Sequence, residues 1–206
     1  LAASGQKVKR SEARSTIAMF VNAGETREAW RLFSTLFGPG RDGQLLRDPG
    51  FALPDVDYRP GLIATAFDWT LLEGDAGSAS IDRSAEFEKN PALFVQARSA
   101  ANATILAEQS AYLPSGKYTL SYKVRGERDG QAEEMARWVV LCGRDGREIA
   151  RSTATTLQPG RWNQATLPFA VTTDCGGVRI RLLTASETAF DGAQLWYDDV
   201  RIKPME

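Results

Sequence analysis

From about residue 44 onward, the sequence is a series of short segments in which apolar and polar residues alternate. The clearest runs from Tyr118 to Arg125, where every second residue is apolar, as in a strand that buries one face. Turns rich in Gly, Pro and Asp separate the segments. The other segments lie at 67–71, 79–83, 92–98, 104–112, 137–143, 147–151, 161–171, 178–184 and 194–203. Short strands with no helix between them predict a mainly β fold, an antiparallel β-sandwich.

Residues 11–37 follow a different pattern, because their apolar residues are spaced three and four apart, as on one side of a helix. The Asn-Ala-Gly run at 22–24 interrupts this pattern, and the Gly-Pro-Gly run at 38–40 ends it. The apolar positions are Ile17, Phe20, Val21, Trp30, Phe33, Leu36 and Phe37. The sequence therefore predicts a helical hairpin within residues 1–43, followed by the sandwich in residues 44–206.

The chain contains no histidine among its 206 residues. Ser-His-Asp and Cys-His catalytic arrangements and imidazole metal ligands are therefore excluded. Asp198 and Asp199 cannot act as a pair of glycosidase carboxylates, because neighbouring residues of a strand point to opposite faces. Neither the G-x-S-x-G motif of many hydrolases nor a glycine-rich phosphate loop occurs. We expect a protein that is not an enzyme and needs no organic cofactor.

The charge is balanced, with 25 Lys and Arg against 26 Asp and Glu. A chain-wide positive field that would attract nucleic acid is therefore absent, and nucleic acid is not an expected partner. The longest apolar stretches, such as 17–21 and 138–142, are five residues long. A membrane-spanning helix needs about 20 apolar residues, so no span is predicted.

Two cysteines, Cys142 and Cys175, are separated by 33 positions and have no C-x-x-C spacing. A zinc site and a thioredoxin-like motif are therefore not supported, and either a disulfide or two buried thiols remain. A disulfide over this span would stabilise the fold by roughly 3–4 kcal/mol. It would also indicate an extracytoplasmic protein, periplasmic or secreted, because the cytoplasm keeps thiols reduced.

Three segments of the predicted sandwich have a recognisable residue order. In residues 195–202 an aromatic residue precedes an Asp pair and a valine. Residues 113–122 contain a G-x-Y-x-L-x-aromatic order, and residues 160–171 form a segment with Trp162 near its start. Together they resemble the galactose-binding-like jelly roll that many carbohydrate-binding modules share. The resemblance implies a jelly-roll β-sandwich over about residues 44–204 and polysaccharide binding without catalysis.

The helical segment has a resemblance of its own. Residues 23–33 are similar to the junction and second helix of a tetratricopeptide repeat, and one such repeat cannot bury its own apolar face. Either the sandwich covers Trp30 and Phe33, or more repeats precede this segment. With residues 66–71, the order of elements resembles a bacterial group in which such repeats precede a sandwich, some of it linked to exopolysaccharide production.

The last predicted strand contains an acidic residue that alternation turns inward. Asp198 shares a predicted face with Trp196 and Val200, and a buried carboxylate needs a metal, an Arg or N–H partners. In the resembled modules the equivalent acid often joins a structural calcium site together with an early Glu. Here that early segment contains Asp48, and Ala52 stands in place of the Glu. Calcium held by Asp198 and Asp48, or hydrogen bonding of Asp198 to backbone at 49–51, are the two alternatives.

Aromatic residues are the first candidates for a sugar-binding platform. Alternation predicts that Trp69 and Trp196 belong to the core, while Trp138 fits either face. Trp162 is predicted either to point outward toward a ligand or to be turned inward by a bulge near Pro168.

Polar residues at predicted outward positions of three strands are the second set of candidates. If the three strands were neighbours, these residues would form a basic stripe that recognises an anionic polysaccharide, since guanidinium groups match carboxylates. Scattered, solvated side chains are the alternative. The residues are Gln96, Arg98, Lys123, Arg125, Arg179 and Arg181.

The preferred function is a non-catalytic polysaccharide-binding module of an extracytoplasmic bacterial protein. The alternative is a protein-interaction module of a secretion or polysaccharide-biosynthesis complex, docking through its N-terminal helices. An exposed apolar patch at Trp30, Phe33 and Phe37 would favour this alternative.

Overall fold

Two helices precede a series of strands in the computed structural model of the protein. The helices are α1 (Arg10–Asn22) and α2 (Thr26–Phe37), and neither is long and apolar enough to cross a membrane. The predicted boundary between residues 43 and 44 lies outside the described residues. The structure describes residues 10–38, 45–53, 58, 65–84, 86–87, 89–98, 100, 102–185 and 192–205.

The strands pair into two large sheets and one two-stranded sheet, and every pairing is antiparallel. One sheet has five strands in the order β1-β5-β12-β8-β9, and the other has six in the order β11-β6-β13-β4-β3-β2. The short strands β7 and β10 pair with each other. The predicted mainly β sandwich with an N-terminal helical hairpin is confirmed. The strands are β1 (Thr70–Leu71), β2 (Glu73–Gly74), β3 (Gly77–Asp82), β4 (Ala92–Ala97), β5 (Ile105–Ala111), β6 (Gly116–Gly126), β7 (Gly130–Gln131), β8 (Ala136–Cys142), β9 (Glu148–Arg151), β10 (Thr156–Leu157), β11 (Asn163–Val171), β12 (Val178–Thr184) and β13 (Ala193–Pro204).

An aromatic cluster fills the space between the two sheets. Trp138 of the five-stranded sheet lies with its ring centroid 5.9 Å from Tyr122 and 5.6 Å from Tyr197 of the six-stranded sheet. Trp69 approaches Trp138 at 5.8 Å, and all four side chains are buried. The core position predicted for Trp69 is thus confirmed, and Trp138 points inward.

The sandwich covers the apolar side of the helical hairpin. Phe67, just before β1, has its ring centroid 5.1 Å from Trp30 and 5.3 Å from Phe33. Phe33 is fully buried, and the guanidinium carbon of Arg47 lies 5.4 Å from its ring centroid. Of the two alternatives for Trp30 and Phe33, covering by the sandwich is the one observed.

A disulfide joins Cys142 at the end of β8 to Cys175 just before β12. The same corner receives the start of α2, because a Cβ added to Gly177 would lie 2.7 Å from Thr26 Cγ2. Gly177 has a φ of 155°, and its carbonyl accepts a hydrogen bond from the Gly143 N–H at 2.9 Å. A side chain at this position would therefore push the hairpin away from the sandwich.

The last strand departs from the predicted alternation. Its register against β6 shifts between Asp198 and Arg201, where Asp199 has a φ of 56°. One extra residue in a bulge moves all later side chains to the other face. Leu195, Tyr197, Val200 and Ile202 are consequently all buried. The predictions that Trp196 belongs to the core and that Asp198 points inward are wrong, because both residues lie before the bulge and pair with Arg125 and Lys123 on the outer face of the sheet.

Candidate functional site

An aromatic row crosses the outer face of the six-stranded sheet. Trp196 on β13 is directly opposite Arg125 on β6 and Phe94 on β4, so the three side chains share this face. Phe87, from the loop between β3 and β4, stacks on Trp196 with a centroid distance of 6.1 Å and an interplanar angle of 14°. Phe87 therefore covers the middle of the row.

Charged groups fix the row in place. The guanidinium carbon of Arg125 lies 5.8 Å from the Phe87 ring centroid and 5.6 Å from that of Trp196, and Arg125 pairs with Glu86. The Asp82 carboxylate accepts a hydrogen bond from Trp196 Nε1 at 2.8 Å. Desolvation opposes ionisation of Asp82, but hydrogen bonds from the Ser84 N–H and Trp196 leave its pKa below the ordinary value. The anchoring carboxylate thus stays charged at neutral pH.

Trp162, directly before β11, borders this row and points outward. Its ring meets Phe87 edge to face, with centroids 6.4 Å apart and an interplanar angle of 89°. The side chain remains 39% exposed. Strand β11 pairs with β6 through Pro168 without a register shift, so no bulge turns Trp162 inward. The outward alternative is the one observed.

A groove of about 520 Å³ opens beside Trp162, along the edge strand of the six-stranded sheet. One wall is the start of β11, and the other is the segment 153–156 that leads into β10. Hydroxyl and amide groups dominate the lining, which contains no charged residue among the described residues that form it. The lining residues are Thr153, Ala154, Thr155, Thr156, Trp162, Asn163, Gln164, Ala165 and Thr166. We call this feature the Trp162 groove.

Glu133 attaches the wall formed by residues 153–156 to the core of the sandwich. Its carboxylate accepts hydrogen bonds from the Thr155 N–H at 2.6 Å and the Thr155 hydroxyl at 2.9 Å. Tyr122 donates a third from its phenol at 3.2 Å, and desolvation by burial raises the pKa of Tyr122, so the donor stays protonated. The Ala132 N–H also donates to the Thr155 carbonyl at 3.0 Å. The wall is therefore fixed before any ligand arrives.

The groove has the chemistry of a sugar site. An aromatic ring can stack on the apolar face of a pyranose, and hydroxyl and amide groups can hydrogen-bond its hydroxyls. Glycoside hydrolysis needs two carboxyl groups across the scissile bond, and the described lining supplies none. The arrangement therefore supports binding.

The sequence located only part of this site. Trp162 was among the predicted residues, whereas the wall 153–156, Phe87 and Glu133 were not. Alternation along β11 already places Gln164 and Thr166 on the same face, and it could have found them. No sequence signal indicates that segment 153–156 lies beside β11, because that contact depends on how the chain returns to the sheet edge.

The predicted basic stripe is not formed as expected. Lys123 lies with Arg125 on β6, and Gln96 and Arg98 lie two strands away at β4, on the same outer face. Arg179 and Arg181 lie on β12, which belongs to the other sheet. The three strands are therefore not neighbours, and of the two alternatives the separated side chains are the one observed.

Acidic and polar neighbours engage these residues. The Glu108 carboxylate lies 2.6 Å from Arg181 Nε and 4.0 Å from Arg179 Nε. Lys123 Nζ is 3.6 Å from Asp199, and Arg98 donates to the Gln96 side-chain oxygen at 3.4 Å. A role of these residues in ligand binding stays a prediction.

Asp48 has partners in its own turn. Its carboxylate accepts hydrogen bonds from the Ala52 N–H at 2.9 Å and the Leu53 N–H at 3.0 Å, and Tyr58 donates to it as well. These bonds occupy both carboxylate oxygens, so Asp48 stabilises the turn that begins at this residue.

Asp198 is half-buried beside the same turn, because a Cβ added to Gly50 would lie 3.5 Å from its Oδ1. Desolvation raises the pKa of Asp198, and its Oδ1 accepts a hydrogen bond from the Asp199 N–H at 2.6 Å. The 49–51 backbone instead accepts from Val200, whose N–H donates to the Pro49 carbonyl at 2.9 Å. The expected bond from this backbone to the Asp198 carboxylate is therefore replaced by one from Asp199.

The side chains around Asp198 and Asp48 provide few oxygen ligands for a calcium ion. Among the described residues, no three His, Cys, Asp or Glu side chains lie close enough together to hold a metal ion. Asp48 and Asp198 each already accept backbone hydrogen bonds. A structural calcium ion at Asp198 and Asp48 stays a prediction.

Comparison with known proteins identifies the fold. No protein-family model matches the chain, and no curated protein matches it in sequence. A candidate sugar-binding protein from Bacteroides thetaiotaomicron has a TM-score of 0.60 at 11% identity, covering 79% of this chain and 100% of that one. The module TmCBM61, solved with β-1,4-galactotriose, has a TM-score of 0.50 at 16% identity, covering 79% and 99%.

Enzymes share this fold as well. A cyclase from Fischerella sp. TAU has a TM-score of 0.54 at 14% identity, covering 79% of this chain and 98% of that one. At such identities the likeness shows the fold alone. The protein thus has the β-sandwich of carbohydrate-binding modules, a fold on which both binding and catalysis occur.

Proposed function

We propose that this protein is a carbohydrate-binding module that holds a polysaccharide in the Trp162 groove without reacting with it. The observation that carries the proposal is the exposed Trp162 ring at the rim of a groove lined by hydroxyl and amide groups. An exposed tryptophan beside such groups is suited to a sugar ring, which has one apolar face and a rim of hydroxyls.

The surroundings of Trp162 favour binding because they hold the ring still. Phe87 packs against the ring in an edge-to-face contact, and Phe87 itself is held by Arg125 and Trp196. A side chain that is ordered before binding loses little conformational entropy when the ligand arrives. The fold adds support, since TmCBM61 shares it and was solved with an oligosaccharide.

The disulfide supports an extracytoplasmic location, periplasmic or secreted. The bond between Cys142 and Cys175 would persist there, whereas the cytoplasm would reduce it. A place in bacterial exopolysaccharide production and a tetratricopeptide-like role of the hairpin stay predictions.

The alternative of a protein-interaction module rested on an apolar patch of the hairpin. Phe33, the centre of that patch, is fully buried against Phe67, and Trp30 packs on the same ring. The groove is therefore the better-supported binding surface.

The test is binding of the purified protein to a panel of soluble polysaccharides, measured by affinity electrophoresis and calorimetry. We expect at least one to bind, Trp162→Ala to weaken binding about tenfold or more, and Trp162→Phe to retain most of it. Met19→Ala, at a side chain 61% exposed on α1, is the control and should bind as the wild type does. Absence of binding to every polysaccharide, or full binding by Trp162→Ala, would overturn the proposal.

A further inference from the structure

We infer that the Trp162 groove selects an electrically neutral glycan and discriminates against uronate-rich or sulfated polysaccharides. This inference rests on the function proposed above and concerns the charge of the ligand. It differs from the anionic polysaccharide that the sequence suggested.

The lining itself gives the first argument. Recognition of a carboxylate or sulfate typically uses guanidinium or ammonium groups, and neither occurs among the described lining residues. An anion that gives up part of its hydration in this groove finds none of the charge-assisted hydrogen bonds that would compensate for the loss. A neutral sugar avoids this cost.

The polar groups that are present suit sugar hydroxyls. The Thr155 hydroxyl donates to Glu133, and the Thr156 hydroxyl accepts from Gln131 Nε2 at 3.3 Å. The Asn163 side-chain nitrogen donates to the Arg161 carbonyl at 3.0 Å, which orients the amide. Each group keeps capacity for a further hydrogen bond, and a sugar hydroxyl can both donate and accept.

Cations near the groove have partners of their own. Arg125 is paired with Glu86, and its guanidinium also lies against the rings of Phe87 and Trp196. Lys123 lies 3.6 Å from Asp199. These contacts lower the positive potential that an approaching polyanion would meet.

Arg161 precedes Trp162 in the chain and is turned toward its own loop. Its guanidinium donates to the Gln158 side-chain oxygen at 3.2 Å, and its N–H donates to the Gln158 carbonyl at 3.0 Å. Arg161 is exposed and forms no part of the groove lining. It is therefore the residue with which a contribution of charge to binding can be tested.

A negative charge lies directly behind one wall. The Glu133 carboxylate is bonded to the Thr155 backbone and hydroxyl on the core side of the wall. Its field opposes an anion in the groove and leaves a neutral ligand unaffected.

The experiment compares neutral and charged polysaccharides of related backbone. The pairs are xylan with glucuronoxylan, galactan with sulfated galactan, hydroxyethylcellulose with carboxymethylcellulose, and dextran with dextran sulfate. We expect the neutral member of at least one pair to bind about tenfold more tightly than its charged partner. We also expect less than about a twofold change in affinity between about 0.05 M and about 0.5 M NaCl, because screening affects only charged contacts. Arg161→Ala should bind as the wild type does.

The results that would overturn the inference differ from those that would overturn the proposed function. Tighter binding of a charged member, with a steep loss in salt and in Arg161→Ala but continued dependence on Trp162, would leave the binding function standing and refute the neutral ligand. Failure of all eight polysaccharides, or indifference to Trp162→Ala, would refute the binding function itself.

Discussion

The contact between helical hairpin and sandwich and the Trp162 groove are both built around aromatic side chains, yet they differ in what covers those side chains. Phe33 is fully buried and contacts both the Phe67 ring and the guanidinium of Arg47. Trp162 is supported by Phe87 through an edge-to-face contact and is 39% exposed. An aromatic ring that is covered on all sides stabilises the fold, whereas one that is fixed and left open can bind a ligand.

The polar groups of the two regions also differ in whether they are buried or exposed to solvent. Arg47 Nε lies 3.0 Å from the Asp68 carboxylate, and both side chains are almost completely buried. The hydroxyls and amides of the Trp162 groove instead face solvent and are uncharged. The buried charged pair of the hairpin contact is thus closed off from a ligand, whereas the polar groups of the groove remain available. Substitutions in one region should therefore affect stability and those in the other should affect binding.

The largest expected effect is the loss of stability caused by Phe33→Ala. Removing a fully buried phenylalanine should lower the free energy of unfolding by about 3–5 kcal/mol, because the cavity between α2 and Phe67 cannot close completely. Urea denaturation would measure it, with Met19→Ala as the exposed control that changes stability by less than about 0.5 kcal/mol. A loss below about 1 kcal/mol in Phe33→Ala would mean that the hairpin does not depend on this contact.

The second largest expected effect is the loss of stability caused by replacing both cysteines. The double variant Cys142→Ala and Cys175→Ala should lose roughly 3–4 kcal/mol, since the unfolded chain regains the freedom that the 33-residue link removes. Hydrogen exchange should then increase first at the start of α2, because Thr26 packs on Gly177 beside the disulfide. Polysaccharide binding by the folded variant should not change, and if it weakened, the two regions would be coupled.

Phe87→Ala should affect both stability and polysaccharide binding, because Phe87 is buried and also supports Trp162. Phe87 is nearly buried and supports Trp162, Trp196 and Arg125, so we expect a stability loss of about 2–3 kcal/mol, below that of Phe33 because it lies in a surface loop. Binding to the best polysaccharide of the panel should weaken about tenfold as Trp162 loses its support. Phe87→Leu, which keeps most of the buried volume, should retain stability better than binding.

The smallest expected effect concerns Asp198. Desolvation raises the pKa of its carboxyl in the folded protein, so at neutral pH the charged form destabilises the fold. Asp198→Asn should therefore be slightly more stable than the wild type at pH 7. This difference should shrink as the pH falls through the raised pKa and vanish below the ordinary pKa of an aspartate, because both proteins are then uncharged at this site.

Thermal unfolding of both proteins over a pH series, with millimolar calcium or with a chelator, would measure this effect. If calcium raised the unfolding temperature of the wild type and not that of Asp198→Asn, the predicted calcium site would gain support. A less stable Asp198→Asn variant in the chelator would contradict the assigned cost of burial.

The alternation of apolar and polar residues was enough to predict most strands, because a strand that buries one face has an apolar residue at every second position. It failed in β13, where the bulge at Asp198 and Asp199 reverses the faces and moves Trp196 outward. A bulge changes one backbone position and leaves the alternation of residue types almost intact, so the sequence alone placed Trp196 in the core. For the cations it left two arrangements open, because the pattern does not reveal that β12 joins a different sheet from β4 and β6.

The sequence by itself determined the class of fold, the order of helices and strands and the absence of histidine chemistry, and it made Trp162 a candidate whose direction stayed open between outward and inward. Only the tertiary structure decided what lies next to that tryptophan. Phe87 and the carboxylate of Glu133 come from distant parts of the chain, and the wall at 153–156 is turned back onto the start of β11 by the loop that joins them. The alternation of residue types reflects only the two faces of one strand. A groove is formed where strands and loops contact each other at the sheet edge, and tertiary packing determines which of them do so.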